Sequence, residues 1–359
     1  MVQRFKPISD DCHITSEFAT GHPGVDFGRD GGSGDQPVFA AQAGLVTHAG
    51  AAQGFGGPAP AGWIVIDHPT AAGSGTTVYG SIIAEVAEGE WVRAGQRIAR
   101  INPDPNTNGG TAPHLHFQVH PFVWQPGSQI DPVAWLDDAP APTPAQSNPP
   151  ICYGVDLSNH QPDINLKAIA EEGFEFAILK ATEGTWLDPC FQQHYSAARE
   201  AGLHTAAYAY VRSETSPQEH ADALDNVVRA AAGDMSVPIC LDIESGSGTD
   251  PDHWRAIHDE FTSRGYQVIL TYLPRWYWQQ VGSPDLADTG LPPLWSSHYV
   301  EPQQGYASAI YQRAGAGTGG WRSYGGLLVD LWQFSSEATV AGHAIDVNAY
   351  LGDPRDLFG

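Results

Sequence analysis

The stretch from Asp137 to Pro150, "DDAPAPTPAQSNPP", constrains the fold more than any other part of the chain. It is rich in Pro and Ala, has no hydrophobic periodicity, and reads as a semi-rigid extended linker. It separates two unlike halves of the 359 residues, 1–138 and 151–359, with 139–150 between them. At 42% hydrophobic residues the chain has enough apolar mass to give each body its own core.

The two halves differ in texture. Ahead of the linker, "GLVTHAG", "GWIVIDH", "TTVYGSI", "QRIARIN" and "HLHFQVH" are short alternating runs broken by Gly, Pro and Asn. They predict an antiparallel all-β domain with long loops such as "GAAQGFGGPAPA". Beyond it, strand-like runs ("CYGVDLS", "FEFAILKATEG", "HTAAYAYV", "VPICLDIES", "YQVILTYL") alternate with helix-like ones, four of which end in Gly173, Gly202, Gly233 and Gly265. That alternation predicts an α/β domain of parallel strands with crossover helices, closed into a TIM-like barrel.

Charge narrows the partners. Forty-one acidic against 17 basic residues, only three of them lysines, give a net charge of −24, which argues against a phosphate-binding surface and hence against nucleic acid. No run reaches the roughly 18 apolar residues that a membrane span needs. The opening "MVQRFKPISDDCHITSEF" lacks the pattern of a secretory signal, so release from a cell is expected to depend on another factor. Cys12, Cys152, Cys190 and Cys240 have no CxxC spacing and are expected as reduced thiols.

Within "TAPHLHFQVH", strand alternation puts His114, His116, Gln118 and His120 on one face, looking into a cleft, and Leu115, Phe117 and Val119 on the other, in the core. Upstream, "GHPGVDFG" offers His22 and Asp26. Two imidazoles and a carboxylate are the set that catalytic zinc prefers, with a fourth position open to a water whose pKa the ion lowers. The half from about Ile14 to Leu136 resembles the lysostaphin/LytM-type zinc endopeptidases that cleave peptidoglycan peptides, through "HPGVDFG", "GWIVIDH", "EGEWVRAGQRIA", "HLHF" and "IDPVAWL". The resemblance implies Zn2+ held by His22, Asp26 and His116, with His114 as the catalytic histidine. One position departs from that pattern: "TTVYGSII" sets Ser81 where the family's Tyr-x-His segment carries a histidine that assists the bound carbonyl. A hydroxyl donates one hydrogen bond but carries no charge, and losing such a stabiliser costs a factor of ~10²–10³ in rate. The domain is therefore expected to cut slowly, to recruit His48 or His68, or to bind without cutting.

In the second half, "VPICLDIES" ends with Asp242 and Glu244, two apart and so facing one space. Paired carboxylates serve glycoside cleavage, one protonated as acid and one ionised. Asp156 in "YGVDLSNHQ" and Glu183 in "LKATEG" also fall at strand ends, where a parallel barrel gathers its catalytic groups. The segment from about Ile151 to Phe358 resembles glycoside hydrolase family 25, the muramidases, through "GVDLSNHQ", "AILKATEGT", "ICLDIE", "PLWSSHY", "DLWQFSS" and "IDVNAY". The resemblance implies Glu244 as general acid/base and Asp242 as the group that orients the substrate's own acetamido nucleophile. It further implies Asp156 and Asp346 in support, sugar subsites at Tyr208, Tyr272, Trp295, Trp332 and Gln333, and no cofactor.

Together the halves look like a modular phage endolysin acting on bacterial peptidoglycan, made in the host cytoplasm and released to the wall by a holin that it need not touch. The alternatives are a single-activity muramidase whose N-terminal half is a degenerate, zinc-containing wall-binding module, and a virion- or toxin-associated wall hydrolase with the same domains.

Overall fold

The computed structural model describes residues 3–51, 61–108, 110–143, 150–314 and 319–359. Most of the loop from Gly50 to Gly62 and residues 144–149 of the linker lie outside the described residues. The chain divides into two compact units, 1–149 and 150–359.

The first unit is built on strands β1 (His13–Ser16), β2 (Val25–Gly28), β3 (Pro37–Phe39), β4 (Gly44–Gly50), β5 (Ala61–Asp67), β6 (Thr76–Ala84), β7 (Trp91–Val92), β8 (Arg97–Ile101) and β9 (Leu115–His120). They form one sheet in the order β1-β2-β9-β6-β5-β4-β7, with β8 joined to β6 and β3 to β8. Its pairings are antiparallel. Alternation explains the core: Val25 and Phe27, Ile64 and Ile66, and Leu115, Phe117 and Val119 each occupy every second position and pack together with Tyr79. The buried phenol of Tyr79 is satisfied by the Ala41 N–H at 2.8 Å.

The second unit comprises β10 (Ile151–Leu157), β11 (Phe176–Glu183), β12 (Trp186–Leu187), β13 (His204–Tyr210), β14 (Ile239–Asp242), β15 (Val268–Tyr272), β16 (Leu294–Ser297), β17 (Val329–Val340) and β18 (His343–Leu351). Apart from β12, a short flap on β11, these strands close into an eight-stranded barrel, β10 pairing with both β11 and β18. Neighbours from β10 through β17 are parallel, yet β18 runs antiparallel to both β17 and β10. The all-parallel arrangement expected from the sequence fails at this one place. Val340 pairs with His343 across a two-residue turn, Ala341 (φ 48°) and Gly342 (φ 81°), and a turn that short can join only antiparallel strands.

Alternation also sorts the barrel into two layers. Val155, Leu179, Leu241 and Val347 face outward to the helices, while Cys152, Phe176, Ile178, Cys240, Leu331 and Tyr350 fill the lumen. Gly154 is glycine because a Cβ there would lie 2.1 Å from the Phe176 ring. At the lower end Phe358 stacks on Phe176 at 5.0 Å. The helix Pro217–Ala232 begins with a Ser216–Glu219 capping box and ends at Gly233, and Gly173, Gly202, Gly233 and Gly265 all have positive φ. All four cysteines are free, and no described helix is long and apolar enough to cross a membrane.

Candidate functional site

Extending the inward rows upward leads from the apolar lumen to its polar mouth. Cys152 and Gly154 are followed by Asp156, Ile178 by Lys180, Cys240 by Asp242 and Glu244, Leu331 by Gln333, and Tyr350 is preceded by Asn348 and Asp346. Asp156, Asp242, Glu244, Asp346, Tyr208, Tyr272, Trp295 and Gln333 line one cavity of about 230 Å3, joined by Tyr299, Ser158 and His160.

Asp156 Oδ2 accepts hydrogen bonds from Asn348 Nδ2 (2.7 Å) and Gln333 Nε2 (3.0 Å). The Gln333 amide oxygen in turn accepts from Tyr272 (2.9 Å) and Tyr299 (3.1 Å), and Trp295 Nε1 donates to Asn348 at 2.7 Å. This lattice locks the floor of the cavity. Asn348 was missed in the sequence although it lies two residues from Asp346 on the same strand, a spacing that puts both on one face. Tyr299 closes the quoted "PLWSSHY" and had no comparable periodic signal.

Burial pushes the carboxyls upward: Asp156 to about 6, and Asp346 to about 9, with the Asp156 charge adding to the latter. Asp242 is raised well above the usual range by burial and then by the charge of Glu244, and its Oδ1 has no partner among the described residues. Glu244 is raised by burial and by Asp156, with Lys180 and Arg212 opposing. A pair that resists double ionisation holds a proton to give and a carboxylate to stabilise positive charge. Glu183 takes no part in it: burial is outweighed there by hydrogen bonds from Arg212 and Lys180, which hold it low.

Trp332 does not belong to the cavity. It follows Leu331 and precedes Gln333 on β17, so alternation turns it outward. It is 1% exposed, donates Nε1–H to the His298 carbonyl at 2.8 Å and packs beside Tyr311, Trp321 and Phe334.

In the first unit, sheet pairing brings the candidate ligands together. Asp26 on β2 is the direct neighbour of His116 on β9, which neighbours Gly80 on β6. The Asp26 carboxylate meets His116 Nδ1 at 2.7 Å and His22 Nε2 at 3.2 Å, and one donor atom from each of these residues lies within 4.8 Å of the others. Gly24 makes this approach possible, since a Cβ there would sit 2.4 Å from the Phe117 carbonyl oxygen. Burial would raise the Asp26 pKa, but the hydrogen bond from His116 and the charges of the three imidazoles reverse the effect and lower it.

The donor set fits zinc. Its two nitrogens and one oxygen converge, and each imidazole has a second contact that sets its orientation: His22 Nδ1–H donates to the Glu17 carbonyl at 2.8 Å, and His116 Nε2 lies 2.9 Å from the Gln118 amide. His114 precedes β9. Its Nδ1–H donates to the Ala112 carbonyl (2.7 Å), leaving Nε2 to face the Ser81 hydroxyl at 3.4 Å and Asp26 at 3.9 Å. Ser81 is buried and in the left-handed region (φ 60°), an outlier of the kind that collects at functional sites.

The expected histidine row is only partly at this cleft. His120 is fully buried and bonded to Ser128 at 3.0 Å, because both faces of β9 are covered. His68 spends its nitrogens on the Ala43 carbonyl and Thr77, and burial lowers its pKa to about 4, so it is no replacement for the missing imidazole.

Comparison with known proteins agrees with the division into two units. The family model of glycosyl hydrolases family 25 matches residues 155–343, and that of peptidase family M23 matches residues 20–132. The chain is 27% identical over 151 residues to the autolytic lysozyme of Clostridium acetobutylicum (41% of this chain, 44% of that protein). It is also 27% identical over 208 residues to lysozyme M1 of Streptomyces globisporus (54% and 65%), so it spans less than two thirds of either relative. Similar solved structures include a bacterial lysozyme from Streptomyces coelicolor (TM-score 0.45, 26% identity, 58% of this chain and 95% of that one). Another is a family GH25 lysozyme from Aspergillus fumigatus (TM-score 0.45, 24% identity, 58% and 100%). The chain belongs to the glycosyl hydrolases family 25 and carries ahead of its barrel a segment matched by peptidase family M23.

Proposed function

We propose that the chain is a bifunctional peptidoglycan hydrolase: the barrel is an N-acetylmuramidase that cleaves the MurNAc–GlcNAc β-1,4 bond, and the first unit is a zinc endopeptidase acting on stem or cross-bridge peptides. The observation that carries the first activity is the unpartnered, buried Asp242 Oδ1 in the same cavity as Glu244. That oxygen accepts the N–H of the substrate's acetamido group, turning its carbonyl oxygen onto the anomeric carbon. Glu244 protonates the departing glycosidic oxygen and then takes a proton from the water that opens the cyclic intermediate. Tyr208, Tyr272, Trp295 and Gln333 wall the sugar site, and Asp156 and Asp346 hold the proton balance of the pair.

In the first unit His22, Asp26 and His116 would hold a zinc ion, which would supply Lewis acidity to the scissile carbonyl and to water. His114 Nε2 would take up and return the proton, its ring held by the Nδ1–H bond to the Ala112 carbonyl, with the Ser81 hydroxyl 3.4 Å from Nε2. A second reading, a zinc-containing wall-binding module, is favoured by Ser81 itself, because its hydroxyl cannot supply the charge that an imidazole would. In either reading the protein is a phage endolysin, held in the host cytoplasm until a holin releases it to the wall.

The test is mass spectrometry of peptidoglycan digested with zinc present. Wild-type protein is expected to release reducing ends, with Glu244→Gln slowing this by ~10²–10⁴-fold, the usual contribution of a general acid/base. The Glu244→Gln protein should still free new peptide termini, and these should vanish in the double variant with His116→Ala. No reducing ends would sink the muramidase, and intact peptides would leave the binding module.

A further inference from the structure

Glu244 stands one residue beyond Ile243, whose N–H still bonds to Tyr272 of β15, so the loop that carries it needs support from elsewhere. That support comes from the extension of β13. Ser213 N–H donates to the Gly246 carbonyl at 3.0 Å, and Ser247 Oγ bridges the Glu244 N–H (3.1 Å) and the Val211 carbonyl (2.8 Å). The Ser245 carbonyl, adjacent to Glu244, accepts two hydrogen bonds, from Tyr210 OH at 2.6 Å and Arg212 Nη1 at 3.1 Å.

Arg212 is itself fixed on several sides. Its other terminal nitrogen is paired with Glu183 of β11, its guanidinium lies 4.6 Å over the Tyr210 ring, and its backbone N–H donates to the buried His220 at 3.0 Å. Gly246 leaves room for it, as a Cβ there would fall 2.0 Å from Arg212 Nη1. Glu183 also binds Lys180 at 2.6 Å, and the Lys180 ammonium lies over the Tyr210 ring as well, 5.0 Å from its centroid.

We infer that Arg212, anchored by Glu183, is a positioning residue for Glu244, fixing the backbone that presents the carboxyl and keeping a positive charge beside it. Facing Glu244 are the carboxyl groups of Asp156, Asp242, Asp346 and Glu183 and the cations Lys180 and Arg212. The phenols of Tyr210, Tyr272 and Tyr277 complete its surroundings. Lys180 and Arg212 are the two cations that favour the Glu244 carboxylate against burial and the Asp156 charge, so each matters to how late Glu244 gives up its proton. Removing one destabilises the carboxylate and raises the midpoint.

The experiment titrates the Glu244 carboxyl by NMR in protein labelled with 13C-glutamate, its signal assigned by loss in Glu244→Gln, alongside kcat, KM and melting temperature. Arg212→Gln is expected to raise the Glu244 midpoint and lower kcat by about ten- to a hundredfold with little change in KM, as a misplaced acid would. Arg212→Lys keeps the charge but loses the fork, so it should restore the midpoint and leave kcat low. An unmoved midpoint in folded Arg212→Gln overturns the inference, as does a kcat that falls only with the folded fraction. The kinetic arm rests on the muramidase reading. Should wild-type protein release no reducing ends, that reading fails while the titration still decides the role of Arg212.

Discussion

At the scale of single residues, the barrel mouth is a study in buried carboxyls. Asp346 is held at about 9, mainly by burial, whereas in the unfolded chain an aspartate titrates near about 3.9. The folded state therefore keeps a proton that the unfolded state has released. Stability from this group is complete below about pH 4 and is lost as pH rises toward 9. Asp346→Asn keeps the shape without the ionisable proton, so its melting temperature should match wild type near pH 4 and exceed it increasingly toward pH 8. At about 1.4 kcal/mol per pH unit and about 2–4 °C per kcal/mol for a unit of this size, the gain should reach about 10 °C or more by pH 8. A difference that stayed constant with pH would place the cost of Asp346 elsewhere. Legibility at this scale followed strand parity. Asp242 with Glu244 could be placed on one face from spacing alone. Trp332 and Gln333 are adjacent and cannot both face the lumen, and the resemblance had claimed both.

Elements show why the readable part was readable. In the first unit His116 reaches Asp26 because β2 and β9 are neighbours in register, a long-range pairing that no local pattern states; ligand chemistry suggested the grouping and the resemblance supplied the set. The burial of His120 was hidden for the same reason, since alternation says which face a residue takes and not whether that face is covered. In the barrel, the run "SSEATVAGHAIDV" holds a two-residue turn at Ala341–Gly342, which the sequence reading passed over in favour of helix and strand alternation. Gly154 carries the element-scale prediction. Its φ lies outside the left-handed region, so the residue is glycine for space: β10 must pass under the Phe176 ring where the lumen is already filled by Phe358. Gly154→Ala should destabilise the barrel by about 1–3 kcal/mol, the usual cost of overpacking. Gly154→Ala with Phe176→Leu should recover part of it. Chemical denaturation of both variants checks this, and a Gly154→Ala protein as stable as wild type would show that the Phe176 ring has room to move.

For the whole molecule the question is whether the ion belongs to the folded first unit alone. That unit and the barrel have separate hydrophobic cores, so a ligand of one stabilises that one by mass action and leaves the other alone. The donor set lies wholly within 22–116, whereas the barrel's cavity gathers four carboxyls with raised pKa, groups whose protons an ion would have to displace. In scanning calorimetry, zinc at a hundred times its dissociation constant should stabilise one transition by about 2.7 kcal/mol. His116→Ala should abolish that shift while the barrel transition, identified by its response to Asp346→Asn, stays in place. A chelator should reverse the shift in wild-type protein and leave the release of reducing ends unchanged. A zinc shift that survived His116→Ala would remove the ion from the Asp26 cluster. A chelator that stopped glycan cleavage would join the two proposed activities through a metal, a link that the carboxyl chemistry of the barrel does not require.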